Sequence, residues 1–235
     1  MLRLFAKLPR PATALALLTL ALASAQARPV PTTRHILSAS FAPRPVNQVE
    51  VGDFHFTPGQ HAPVHTHAAP VFGYVSKGSI IYQVEGQKPR LLKAGDAFYE
   101  PVGPRILRFD NASASEEAVF TDFNLEQPGE PFIVFPTPPT AKIDRRPLPT
   151  TKFTGAIVDH VDGYATVIAP AGQTAASPRG LALFGYVAAG SIKLDGRTYA
   201  AGQTYHQSAG RAAAIANDGT TMAKVINFYL SKTSH

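Results

Sequence analysis

Pro58-Gly59-Gln60-His61-Ala62-Pro63-Val64-His65-Thr66-His67, with Gly78 eleven residues further on, is the stretch that sets the fold. Its last two histidines stand at i and i+2. On an extended segment such positions share one face, so both imidazoles can meet a single cation. Around them lie short runs of β-branched and aromatic residues at 49–56, 71–75, 79–84, 105–109 and 118–125. Turn-forming residues separate these runs at intervals of roughly 8–12 residues, the spacing of sandwiches and barrels. Beyond the first 27 residues no window carries a 3.6-residue apolar period. The chain is expected to be all-β.

The unit occurs twice. Phe72-Gly73-Tyr74-Val75-Ser76-Lys77-Gly78-Ser79-Ile80 reappears 112 residues later as Phe184-Gly185-Tyr186-Val187-Ala188-Ala189-Gly190-Ser191-Ile192, with seven of nine positions identical. Downstream, Glu85-Gly86 answers to Asp195-Gly196 and Ala94-Gly95 to Ala201-Gly202; upstream, Ala169-Pro170-Ala171-Gly172-Gln173 echoes Thr57-Pro58-Gly59-Gln60. Self-similarity on this scale predicts two copies of one domain. The runs 164–168, 181–187 and 221–230 are the strands expected of the second copy.

The spacing of Gly59, His65, His67 and Gly78 resembles the first motif of the cupin superfamily: Gly, five residues, His-x-His, three or four residues, Glu, six residues, Gly. Gly95, Pro101 and Gly103 resemble the second: Gly, five residues, Pro-x-Gly, two residues, His, three residues, Asn. The resemblance implies two tandem cupin-type jelly-roll barrels, a bicupin. The chain departs from it where chemistry is concerned. Val71 stands at the Glu position, Ile106 at the second-motif His and Asp110 at the Asn. Two of four family metal ligands, His65 and His67, are thus retained, and Glu100, just before Pro101, is the nearest carboxylate in the pattern. His65, His67 and Glu100 are the candidate metal ligands, for manganese, iron, zinc or nickel. His61, at the barrel mouth, and Arg108, if it shares the inward face of Ile106, are candidate substrate-binding residues; an exposed arginine at a barrel end is the plainer reading. Val71, Gly73 and Val75 would form an apolar wall. Phe72 and Tyr74 recur in the second copy, so they are expected to pack between sheets.

The second copy retains no such site. Ser177 and Arg179 stand at its His positions, Leu183 at the Glu and Ala213 at the last His, although Asn217 keeps the asparagine. A supporting, degenerate barrel is expected there.

The first 27 residues belong outside the fold. Arg3, Lys7 and Arg10 precede an apolar run from Ala12 to Ala23, and Ala25-Gln26-Ala27 reads as a small-x-small cleavage site. This order is that of a secretory signal peptide, and export to a periplasm or the exterior is expected, with no membrane span after cleavage. The remaining 208 residues divide into a proline-rich arm (28–45), an N-terminal barrel (46–135), a proline-rich linker (136–151) and a C-terminal barrel (152–235). Three positive charges leave with the leader, which brings the formal +6 down to +3. With no basic cluster interleaved with aromatics, nucleic acid is not expected as a partner. There is no cysteine, which excludes thiol chemistry and disulfide support. A small-molecule ligand is expected, and a homodimer is left open. Two functions compete. One is metal-supported chemistry of dioxygenase, isomerase or decarboxylase type. The other is a metal-free, non-catalytic ligand-binding or structural role.

Overall fold

The computed structural model describes residues 29–140, 143–176, 182–211 and 213–233. Ser177, Arg179 and the leader fall outside these. Thirteen strands and no helix appear among the described residues. The first half holds β1 (Thr32–Phe56), β2 (Val71–Lys77), β3 (Ser79–Val84), β4 (Arg90–Lys93), β5 (Ala97–Glu100), β6 (Ile106–Asn111) and β7 (Ala118–Glu126). The second holds β8 (Asp144–Ile168), β9 (Ala182–Ala189), β10 (Ser191–Leu194), β11 (Arg197–Ala200), β12 (Thr204–Gln207) and β13 (Ala223–Ser231).

One sheet runs through both halves in the order β12-β9-β13-β8-β1-β7-β2-β5, and smaller sheets β4-β3-β6 and β10-β11 close the two barrels. The halves join edge to edge at the antiparallel pair β1–β8, which leaves neither long strand with an open edge there. This pairing changes the reading of both proline-rich segments. Residues 32–40, expected as part of an arm, are a strand laid against 160–167 of the second half. Reciprocally, 144–148 pair with 51–55 of the first. The ladder skips residues 41–43, where Pro43 falls, so that proline costs no sheet hydrogen bond.

Three apolar clusters result. Val75, Ile80, Phe98, Ile106 and Phe120 are among those filling the N-terminal barrel; Ile168, Leu183, Val187, Ile192 and Ile215 fill the C-terminal one. Between them Phe72 packs on Phe228 at 4.4 Å between ring centroids, and Phe123 on Phe228 at 5.3 Å. Phe72, Tyr74, Phe184 and Tyr186 all belong to this middle layer, as their recurrence suggested. Each such ring removed from water contributes ~1.5–3 kcal/mol.

The repeated glycines have specific tasks. Gly78 and Gly190 turn with φ of 72° and 71°, and a Cβ there would lie 2.6 Å from the carbonyls of Glu117 and Met222. Gly73 and Gly185 make room for an aromatic ring: a Cβ would lie 2.2 Å from Phe98 and 2.1 Å from Tyr205. Gly73→Ala is therefore expected to destabilise the protein by ~1–3 kcal/mol through overpacking. Chemical denaturation would measure it, and a neutral result would show that the Phe98 ring is not held there.

Asn111-Ala112-Ser113 matches a glycosylation sequon, but Asn111 is buried and its Nδ2 donates to the carbonyls of Phe56, Thr57 and Glu116. Asn217 does the same work in the second half, donating to Ile168 and Thr221. Both are turn-closing residues.

Candidate metal centre

Between β1 and β2 the chain crosses the mouth of the N-terminal barrel. His65 forms a two-bond bridge with Ile106, N–H to O at 3.3 Å and O to N–H at 2.8 Å, and Thr66 one with Val134 at 2.9 and 3.0 Å. Clamped on both sides, the segment is extended, and His65 and His67 point together into the barrel as their spacing required. Glu100 ends β5 on the opposite wall. The three side chains are buried, and their ligand atoms lie within 4.8 Å of one another.

The ring orientations are set by the backbone. His65 Nδ1 lies 2.8 Å from the carbonyl of Pro63, and His67 Nδ1 lies 3.1 Å from that of Phe132. A carbonyl accepts only, so both Nδ1 atoms donate, and each Nε2 is left bearing a lone pair. The two Nε2 atoms face one carboxylate, at 4.0 Å from Glu100 Oε1 for His65 and 2.9 Å from Oε2 for His67. No proton is aligned between His67 and Glu100: His67 Nε2 and Glu100 Oε1 are both buried without a hydrogen-bond partner. Burial lowers the proton affinity of His65, overriding the opposing pull of Glu100. Two imidazole nitrogens and a carboxyl group that converge in one buried space suit a divalent cation.

Asp122, which the sequence reading missed, belongs to the same cavity. It faces inward from β7 between Phe120 and Asn124, and burial, reinforced by the charge of Glu100, pushes its carboxyl well above the usual range. The cavity has a volume of about 20 Å³, with Phe56, His65, Glu100, Phe109, Asp122 and Phe135 among its walls. The missed signal was parity: Asp122 alternates with Phe120 and Asn124 along β7 and so shares their inward face.

Val71 pairs with Glu100 and Asn124, so it lies beside the cluster as its place in the motif implied, and Ile106 pairs with His65. The structure corrects the expectation for Arg108. The β3–β6 ladder slips between Ile106 and Arg108, so Arg108 pairs with Gln83 and Asp110 with Ile81, on the outer face of β3. Phe109, not Arg108, points inward. Arg108 donates to Asp110 at 2.7 Å, and the exposed His61 lies 3.3 Å from the same carboxylate. His61 and Arg108 thus share the Asp110 carboxylate and do not join the imidazole pair. His55 bridges Asp53 and Glu117, each at 3.0 Å.

In the second half Leu183 takes the place of Val71, pairing with Gln207 as Val71 does with Glu100. The register also matches Asn227 to Asp122, since the two face Gly185 and Gly73 respectively. Both carboxylates of the first barrel are therefore amides in the second.

Comparison with known proteins gives a consistent picture. Residues 52–124 match the family described as Cupin domain. Oxalate decarboxylase from Bacillus subtilis, with Mn(II) centres, superposes with a TM-score of 0.57 at 13% identity, covering 89% of this chain and 79% of its own. A variant of salicylate 1,2-dioxygenase from Pseudoaminobacter salicylatoxidans gives 0.53 at 13%, covering 78% and 72%. AerE from Microcystis aeruginosa gives 0.54 at 15%, covering 81% and 98%. No curated protein matches the sequence significantly.

Proposed function

We propose that the N-terminal barrel, whose residues 52–124 match the Cupin domain, holds one divalent cation on His65, His67 and Glu100 and acts there on a small oxygen-bearing molecule. The observation that carries this reading is the buried meeting of His67 Nε2 with Glu100 at 2.9 Å, where neither His67 Nε2 nor Glu100 Oε1 has a hydrogen-bond partner and a cation beside them would satisfy both.

A metal so bound supplies Lewis acidity toward a substrate oxygen or, when redox-active, oxygen activation. The rest falls to the chain. Pro63 and Phe132 hold the imidazoles in the ligating tautomer. Phe54, Phe56, Phe109 and Phe120 keep the wall apolar and exclude water. Asp122 presents a carboxyl that retains its proton more readily than an ordinary aspartate, aimed at the same space. No lysine or arginine lines this cavity among the described residues, so selection by a second charge is absent. That composition favours a neutral or singly charged, partly apolar substrate. Dioxygenase, isomerase and decarboxylase chemistry all fit the arrangement. Export of the mature chain, beginning near Arg28, is part of the proposal and is checked by N-terminal sequencing.

Metal analysis of protein purified without chelator or a nickel column is the direct test, followed by titration with manganese, iron, zinc and nickel. His65→Ala and His67→Ala are each expected to lower affinity at least ~100-fold, beyond the 10–100-fold of outer-shell changes, because three ligands leave no redundancy. Metal-free protein that binds none of the four below ~100 µM would refute the reading.

A further inference from the structure

A roomier cavity than that of the metal centre lies in the barrel without the histidine pair. Its volume is about 390 Å³ between β8, β9, β12 and β13, against about 20 Å³ in the first barrel. Register explains the difference. Phe54 and Phe120 face each other across β1–β7, where Thr166 and Val225 face each other across β8–β13. Phe56 corresponds likewise to Ile168. Phe109, bonded to the backbone of Ala62, corresponds to Ile215, bonded to that of Thr174. Four phenylalanine rings have become a threonine, two isoleucines and a valine, and the barrel has been emptied.

The polar groups that line this space are uncharged in its interior. Gln207 is 2% exposed, donates through Nε2 to the carbonyl of Ala213 at 3.3 Å, and leaves Oε1 buried with no partner. Asn227 accepts from Tyr205 at 2.5 Å. Thr174 accepts the Ile215 N–H at 2.9 Å, which leaves its own proton to donate. Thr166 and Thr33 hydroxyls meet at 3.1 Å. The rings of Tyr164 and Tyr229 meet edge to face at 5.9 Å, beside apolar Ala175, Leu183 and Ile215. The single charged lining residue among those described is Asp162, at the rim, where burial opposes its ionisation but His35, His160 and Ser38 more than offset it, so its proton affinity is lowered.

We propose that the C-terminal barrel is a second, metal-free binding site for a neutral polyhydroxy molecule of monosaccharide size. An unpaired buried acceptor at Gln207 requires an O–H or N–H donor. Threonine hydroxyls and amides with no buried charge match alcohols, and the tyrosine faces match the C–H side of a sugar ring. Ionised Asp162 at the entrance repels anions. Replacing both carboxylates of the first barrel by their amides removes the attraction for a cation while preserving shape. The site is independent of the metal centre.

The test is calorimetric titration of the full mature protein with D-glucose, D-galactose, myo-inositol and glycerol, alongside gluconate and glucose 6-phosphate as charged counterparts. At least one neutral polyol should saturate with a low-millimolar or tighter Kd, and the charged compounds should bind at least ~10-fold more weakly. Gln207→Leu, which removes the unpaired acceptor, should weaken the neutral ligand ~10-fold. Thr166→Phe, which restores the ring found in the first barrel, should abolish binding with the melting transition retained. Chelator and His65→Ala should leave it unchanged. Absence of saturable binding by all four polyols overturns the proposal, as does tighter binding of the anions. Loss of binding with chelator or His65→Ala overturns it too, because the ligand would then sit in the first barrel.

Discussion

Glu100→Gln is expected to raise the melting temperature of the metal-free protein while removing its divalent binding. In the metal-free protein the Glu100 carboxylate is buried, has one oxygen unpaired, and sets the other against a bare imidazole nitrogen at 2.9 Å. Its charge also raises the proton affinity of Asp122. An amide in the same place can donate to His67 Nε2 and carries no charge, and Gln207 shows that the fold accepts it at the equivalent position. Relieving one unsatisfied buried group is worth ~1–3 kcal/mol, and each kcal/mol moves the melting point of a domain this size by roughly 2–4 °C. With metal the order should reverse, because the wild type gains binding energy that the variant lacks. Melting curves with chelator and with excess manganese decide it; a metal-free variant less stable than wild type would show that Glu100 is satisfied by a proton. The pH response carries a second signature. The folded state holds the Asp122 proton more tightly than the unfolded state, so this residue adds stability as pH falls from its folded value toward the ordinary 3.8. Asp122→Asn should remove that gain on the acid side and stabilise the protein at neutral pH.

Val71→Glu combined with Ile106→His is expected to tighten divalent binding by at least ~100-fold, the two added ligands completing a set of the family's type. The ladder supports both positions. Val71 lies directly across from Glu100 and Ile106 directly across from His65, and antiparallel partners share a face. The same change should lower the metal-free melting temperature. Two fully apolar side chains leave the core, and a carboxylate arrives beside two others, Glu100 and Asp122. The combination of a weaker metal-free fold and tighter metal is the diagnostic outcome. A double variant that binds manganese, zinc and iron no better than wild type would show that these positions are not the vacated ligand slots.

Much of this protein is legible in its residues. The histidine pair at i and i+2 announces a shared face because strand geometry leaves no choice once the segment is extended, and the repeated Phe-Gly-Tyr-Val…Gly-Ser-Ile unit announces two barrels because each glycine answers a local steric demand. Glu100 could be read as the third member because it ends a strand next to the second motif. These are short-range constraints, carried by side-chain alternation and by turns.

What chain-local patterning left open was decided by pairing between distant segments. Residues 32–40 and 144–148, which border prolines and lie outside the runs read as strands, each complete the other half's sheet, since an unpaired edge there would leave backbone groups unsatisfied. Alternation leaves Arg108 either in the pocket or exposed at a barrel end, and one slipped residue in the β3–β6 ladder puts it outside. Asp122 came to line the cavity of the candidate ligands, and the second barrel became the roomier one, only when β7 was placed across β2 from β5 and β13 across β9 from β12. Strand parity is a local property of the chain; register is set by the partner strand, and a single bulge is enough to separate the two.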